Sequence, residues 1–180
     1  MHDVADTTRT ANLLGAAALA VTDLSLGDAT RAAGVSASGG AALVVLSAAP
    51  GLSVTELGRR VGLSQSAAAR MVDSMESNRL LRRRPGIGRA VTVELTQAGR
   101  RAARRLLDAR EGPLTEAVSA LDDQDQKALA ELLAKLLTRL YDEVGDNELM
   151  CRLCDRPACA TEHATCPVGE AERAHRHQQP

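Results

Sequence analysis

Residues 53–81, SVTELGRRVGLSQSAAARMVDSMESNRLL, constrain the fold more than any other stretch of the chain. Ser53 and Glu56 stand at the S-x-x-E spacing of a capping box, which predicts a helix that starts after Ser53 and buries Val54, Leu57 and Val61. Gly62-Leu63 makes a tight turn. Ser64 then caps a second helix with Ala68, Met71, Val72 and Met75 on its inner face, leaving Gln65, Ser66, Ala69, Arg70 and Asp73 outside. Two short helices joined by a glycine turn form a helix-turn-helix.

The flanking sequence extends this reading. Leu80–Arg84 and Arg89–Leu95 are extended, the second placing Val91, Val93 and Leu95 inward and Thr92 and Glu94 outward, with Pro85-Gly86-Ile87-Gly88 as the turn of a two-stranded wing. Thr96 caps a long helix that is basic at its start (Arg100, Arg101, Arg104, Arg105) and is expected to break near Gly112-Pro113. Asp122 caps a last helix, Asp123 to about Val144, striped with Leu129, Leu132, Leu133, Leu136, Leu137 and Leu140. Upstream, residues 9–26 carry an apolar helical face (Leu13, Leu14, Ala17, Ala18, Val21, Leu24), and Ala41–Ala49 reads as a short buried helix ended by Pro50-Gly51.

The expected fold class is therefore mainly α, a winged helix-turn-helix with a small α/β wing between N- and C-terminal dimerisation helices. The DNA-binding lobe covers about 41–95 and the dimerisation helices about 9–33 and 114–144, in a domain spanning 9–144. Residues 1–8 are expected to be a flexible N-terminus. Residues 145–180 lose the helical pattern and are expected to be a Cys/His-rich tail, ordered only where its cysteines order it. A leucine stripe also suits ordinary core packing, but one wing and one helix grip DNA weakly, which favours a homodimer.

The net charge of −1 conceals a segregation. From Arg59 to Arg105 there are twelve arginines and no lysine against three acids (Asp73, Glu76, Glu94), so a basic middle lies between acidic ends. Arginine's planar fork suits bidentate contact with phosphates and bases, as a polyanion-binding face requires. One Tyr, no Phe and no Trp leave little to stack on single-stranded bases, so duplex DNA is the expected partner. The longest apolar run, Leu13–Val21, is short for a membrane span, and Asp3 and Asp6 sit where a secretion signal would carry positive charge. A cytoplasmic protein without membrane partners is expected.

The order helix, helix, capped helix-turn-helix, basic wing, L-T-x-x-G, long helix, leucine-rich helix resembles the MarR family of winged-helix transcriptional regulators over roughly residues 10–144. GLSQSAAARMVDSMESNRLLRRR and RAVTVELTQAG carry the resemblance most specifically. It implies that Ser64–Ser77 is the recognition helix, with Ser64, Gln65, Ser66 and Arg70 nearest bases or phosphates. Arg82, Arg83 and Arg84 would then line the wing's phosphate track, and Arg89 would be the wing arginine of the minor groove. Gly88 stands where members usually have an Asp that orients that arginine. Arg79 stands where they usually have Gly, and Asn78 is expected to take the left-handed cap in its place. The resemblance also implies a small-molecule effector, often phenolic, in a pocket that so aromatic-poor a chain would line with Ala, Leu and Val.

Every cysteine lies in CRLCDRPACATEHATC, with the spacing C-x2-C-x4-C-x6-C through Cys151, Cys154, Cys159 and Cys166. Such spacing can surround one zinc ion per chain, with His163 as an alternative ligand and His175 and His177 as more distant ones. Reversible thiol oxidation, assisted by Arg152 and Arg156, is a second reading, and an iron–sulfur site or no chemistry a third. Nothing pairs a nucleophile with a base or forms a phosphate loop, so no enzyme is expected. The reading is a sequence-specific duplex-DNA-binding regulator, a repressor acting as a homodimer, whose cysteine cluster binds zinc or senses redox state. A protein-interaction module with a zinc-stabilised docking tail is the alternative.

Overall fold

The computed structural model describes residues 4–86, 91–160 and 165–178, the side chains of residues 4 and 5 excepted. A long helix α1 (Val4–Ala33) leads into α2 (Ala37–Ala48), a two-residue strand β1 (Leu52–Ser53), α3 (Val54–Arg60) and α4 (Gln65–Ser77). The wing strands β2 (Leu81–Pro85) and β3 (Val91–Leu95) follow, then α5 (Gln97–Ser119) and α6 (Asp123–Val144). The tail adds α7 (Asn147–Met150), α8 (Arg156–Cys159) and α9 (Pro167–Gln178).

Short polar side chains set the helix starts. Ser36, Ser53, Ser64, Thr96 and Asp122 each accept a hydrogen bond from the backbone N–H three residues on, a cap that stabilises a helix by about 1 kcal/mol. The sheet is antiparallel in the order β1-β3-β2, with Leu52 opposite Val93 and Leu81 opposite Leu95. β1 is too short to show an alternating pattern, so it was not legible beforehand.

Packing is organised by α2, which is apolar all round and buried from Gly39 to Leu46. Leu43 and Leu46 meet Leu57, Val72, Leu81, Val93 and Leu106 in one core. A Cβ on Gly40 would come within 2.6 Å of Leu106 Cδ1, so glycine lets α5 approach closely. The C-terminal part of α1 joins the same core through Ala29 and Ala33. By length and composition α1 between Asp6 and Ala33 could cross a membrane, with a mean hydropathy of 1.2, more than the short run Leu13–Val21 had suggested.

Four expectations are corrected. Helix α1 starts at Val4, so residues 4–8 are helical. Helix α5 runs unbroken through Gly112-Pro113, since one proline removes only one of many hydrogen bonds in a 23-residue helix. The left-handed residue after α4 is Arg79 (φ 57°), with Asn78 at φ −80°. The tail contains a 12-residue helix, α9, held to α6 by Val168 and Ala171 packing on Tyr141.

Candidate nucleic-acid interface and cysteine cluster

Helix α4 is rigid on one side and open on the other. Ala68, Met71, Val72 and Met75 are buried, whereas Gln65, Ser66 and Arg70 are exposed. Among the described residues Arg70 and Gln65 have no hydrogen-bond or ion-pair partner, so their polar groups remain available. Ser64 is occupied as the cap of α4, and Ser66 Oγ lies 3.3 Å from Ser64 Oγ.

Strand alternation splits the wing arginines. Arg82 and Arg84 share the outer face and reach the same carboxylate, Glu94, at 3.3 and 3.4 Å. Arg83 points the other way, towards α4. Its guanidinium pairs with Asp73 at 2.6 Å and with Glu76, whose carboxylate also accepts the Arg83 backbone N–H at 3.0 Å. These bonds, the backbone one foremost, hold the Glu76 carboxyl below its ordinary pKa. Arg83 thus pins the wing to the recognition helix. Asp73 and Glu76 were missed as its partners because the pairing forms only when β2 folds back beside α4. Arg89 and Gly88 lie outside the described residues.

At the start of α5, Arg100 donates to the Leu95 carbonyl at 2.9 Å and Arg105 to the Ala32 carbonyl at 3.3 Å. Arg101 and Arg104 are exposed and, among the described residues, unpaired. A cavity of about 470 Å³ opens between the end of α1, α2 and α4, lined among others by Thr30, Arg31, Ser36, Met71, Ser74 and Asn78. Val35 and Leu80 line it as well, so hydroxyls, an amide and thioethers join the Val and Leu expected from composition.

Cys151 ends α7, Cys154 closes a turn by donating its backbone N–H to the Cys151 carbonyl at 3.0 Å, Cys159 ends α8, and Cys166 directly precedes α9. All four are free thiols lining one pocket of about 210 Å³ with Asn147, Arg156, Ala160 and Gly169. Burial, followed by neighbouring thiols, pushes the Cys151 and Cys159 thiols up to about 11, and burial also raises Cys154. Arg152 is turned to the Leu149 carbonyl at 2.6 Å, while Arg156 lines the pocket and acts against the rise at Cys151. Among the described residues no group of three or more His, Cys, Asp or Glu side chains already stands in ligating geometry.

His163 lies outside the described residues. His175 does not line the pocket, because its ring packs at 5.3 Å on Tyr141 and its Nδ1 lies 3.2 Å from the Ala171 carbonyl. His177 is exposed on α9.

The MarR family model matches residues 33–90, the segment from the end of α1 to the wing. No curated protein matches the chain. Among solved structures, a MarR family protein from Bacillus stearothermophilus aligns with a TM-score of 0.69 at 21% identity, covering 78% of this chain and 99% of that one. A MarR-family transcriptional regulator from Silicibacter pomeroyi aligns at 0.55 and 28% identity, covering 72% and 88%. The Mycobacterium tuberculosis MarR family protein Rv2887 in complex with p-aminosalicylic acid aligns at 0.55 and 23% identity, covering 70% and 96%. With the helix-turn-helix, the wing and the flanking helices all in place, the chain has the winged-helix fold of these MarR-family structures, matches the MarR family model over residues 33–90, and carries a cysteine-rich C-terminal tail.

Proposed function

We propose that this protein is a homodimeric, sequence-specific duplex-DNA-binding repressor. One observation carries the reading: α4 is held by the core on one face while Gln65, Ser66 and Arg70 stand unburied on the other, ahead of the outward-facing wing arginines Arg82 and Arg84. Gln reads adenine and Arg reads guanine bidentately in the major groove, and the wing arginines neutralise phosphates. The exposed leucines of α1 and α6 supply the second copy's contact, and a dimer seated across a promoter obstructs transcription. Small aromatic acids are the effectors expected for the cavity beside α4, where Arg31 offers a cation, as p-aminosalicylic acid binds a protein of the same fold. The cysteine tail is the sensing element of this reading, by metal or by redox state.

The test selects bound duplexes from a random-sequence pool and measures their affinity by gel shift. Arg70→Ala is expected to cost about 1–3 kcal/mol and to relax specificity at one position, and Arg89→Ala to weaken binding as well. Unchanged affinity in both variants refutes the groove contacts.

A further inference from the structure

We propose that Cys151, Cys154, Cys159 and Cys166 together bind one zinc ion, and that the loaded tail braces α3 against α6. The four cysteines come from four separate pieces of the tail and converge on one small pocket. Besides them the pocket is lined by an amide, a guanidinium and two small residues, with no carboxylate. Four soft sulfur donors and nothing harder select Zn²⁺ over Mg²⁺ or Ca²⁺. Binding replaces four S–H protons, released to solvent, by one ion, leaving a site of net charge −2. Arg156 lines the pocket and offsets part of that charge. Among the described residues no group of three or more His, Cys, Asp or Glu side chains is placed to hold a metal ion as it stands, so loading requires the sulfurs to draw together.

The pocket is wired to the DNA-binding lobe. Asp146, the cap of α7, pairs with Arg59 of α3, and Glu148 pairs with both Arg60 of α3, at 3.4 Å, and Arg156 of the pocket. Leu149 reaches the helix-turn-helix turn, where a Cβ on Gly62 would stand 3.0 Å from its Cδ1. Leu153 packs on the main core. On the other side, Asn147 bonds Glu172 of α9, and α9 is anchored to α6. Contracting the pocket therefore tightens a strap between the helix that carries the leucine stripe and the helix that seats α4. In this respect the inference rests on the DNA-binding reading: metal loading holds the two recognition helices of a dimer at a fixed separation, about 34 Å for successive major grooves.

The full chain, purified from zinc-supplemented medium under reducing conditions, is expected to hold one zinc per chain, and cobalt substitution to give the intense visible bands of tetrahedral thiolate coordination. The Cys154→Ser and Cys159→Ser double variant should lose both. Chelating zinc from the wild-type protein should speed amide exchange in residues 54–60 by about tenfold, which needs no mutant to fold and no operator to be known. Iron with a visible chromophore, a disulfide, four freely titrating thiols without metal, or zinc retained by the double variant overturns the site. Unchanged exchange in α3 overturns the brace. Loss of duplex-DNA binding in the presence of a zinc-loaded, braced tail would refute the DNA reading alone.

Discussion

Arg79 joins α4 to β2 in a left-handed conformation, φ 57°, which costs a residue with a Cβ about 1–2 kcal/mol. Asn78 was the expected occupant, but α4 extends until the Asn78 N–H bonds the Ser74 carbonyl, and the chain reverses one residue later. Thr96 locks that reversal, its Oγ1 donating to the Arg79 carbonyl at 2.6 Å. Gly99 lets the locked turn sit against α5, since a Cβ there would stand 1.9 Å from the Leu80 carbonyl oxygen. Hence the L-T-x-x-G motif was legible as a helix start, but its hold on a turn 17 residues earlier was not. Arg79→Gly should raise stability by about 0.5–1 kcal/mol, part of the relieved strain being offset by glycine's freedom in the unfolded chain. A urea midpoint at or below the wild-type value would refute it. Glu56 is a second residue with two tasks: its backbone N–H is capped by Ser53 while its carboxylate accepts from Arg59 and Arg60. Those two guanidiniums lower its pKa from 4.5 to about 2. A depressed folded value stabilises fully above the unfolded value, and the contribution fades as pH falls from about 4.5 towards 2. Glu56→Gln should therefore flatten stability against pH across that window, modestly because the group is partly exposed; an unchanged acid limb by urea titration counts against the pairing.

Among the elements, the helices and wing strands that begin at a cap or a turn were readable because the signal is local: Ser53, Ser64, Thr96 and Asp122 each bond a backbone N–H three residues on. The exposed face of α4 was readable for the same reason, since its inner face follows helical spacing. Arg83 shows where this ends. Its neighbours Arg82 and Arg84 face outward, and only the folded register of β2 turns Arg83 onto Asp73 and Glu76. Helix α9 was missed because PVGEAERAHRHQ buries only Val168 and Ala171, too few to show a periodic face. It exists through what it leans on, Tyr141, the chain's one aromatic residue. Removing that ring should release α9 without unfolding the rest, since Tyr141 belongs to a cluster separate from the main core. For Tyr141→Ala we expect rapid proteolytic loss of residues beyond 166 and an unchanged melting temperature for the remainder. A tail that stays resistant would show that it is held elsewhere.

At the scale of the molecule, two apolar surfaces lack cover within one chain. Helix α1 exposes Leu13, Leu14, Leu19, Val21 and Leu24, and α6 exposes Leu132, Leu133, Leu136, Leu137 and Leu140. Rows of exposed leucines favour association, because burying them removes apolar area from water at about 25 cal/mol per Å². In the proposed homodimer a second copy covers them, since a twofold axis sets each patch against its own mate. The charge distribution agrees: the exposed Arg70, Arg82 and Arg84 lie on α4 and β2 rather than on either leucine helix, so pairing through α1 and α6 leaves two basic faces free. Leu136 lies at the middle of the α6 stripe and is 40% exposed in the single chain, so Leu136→Glu should leave the fold intact and place two carboxylates face to face in the proposed homodimer. Sedimentation is expected to show a monomer with unchanged helix content. The slope of log affinity against log salt should then fall to about half, because only one set of arginines meets the phosphates at a time. A variant that still sediments as a dimer would place the interface elsewhere, and a monomer with the full salt slope would mean that one lobe alone makes every phosphate contact.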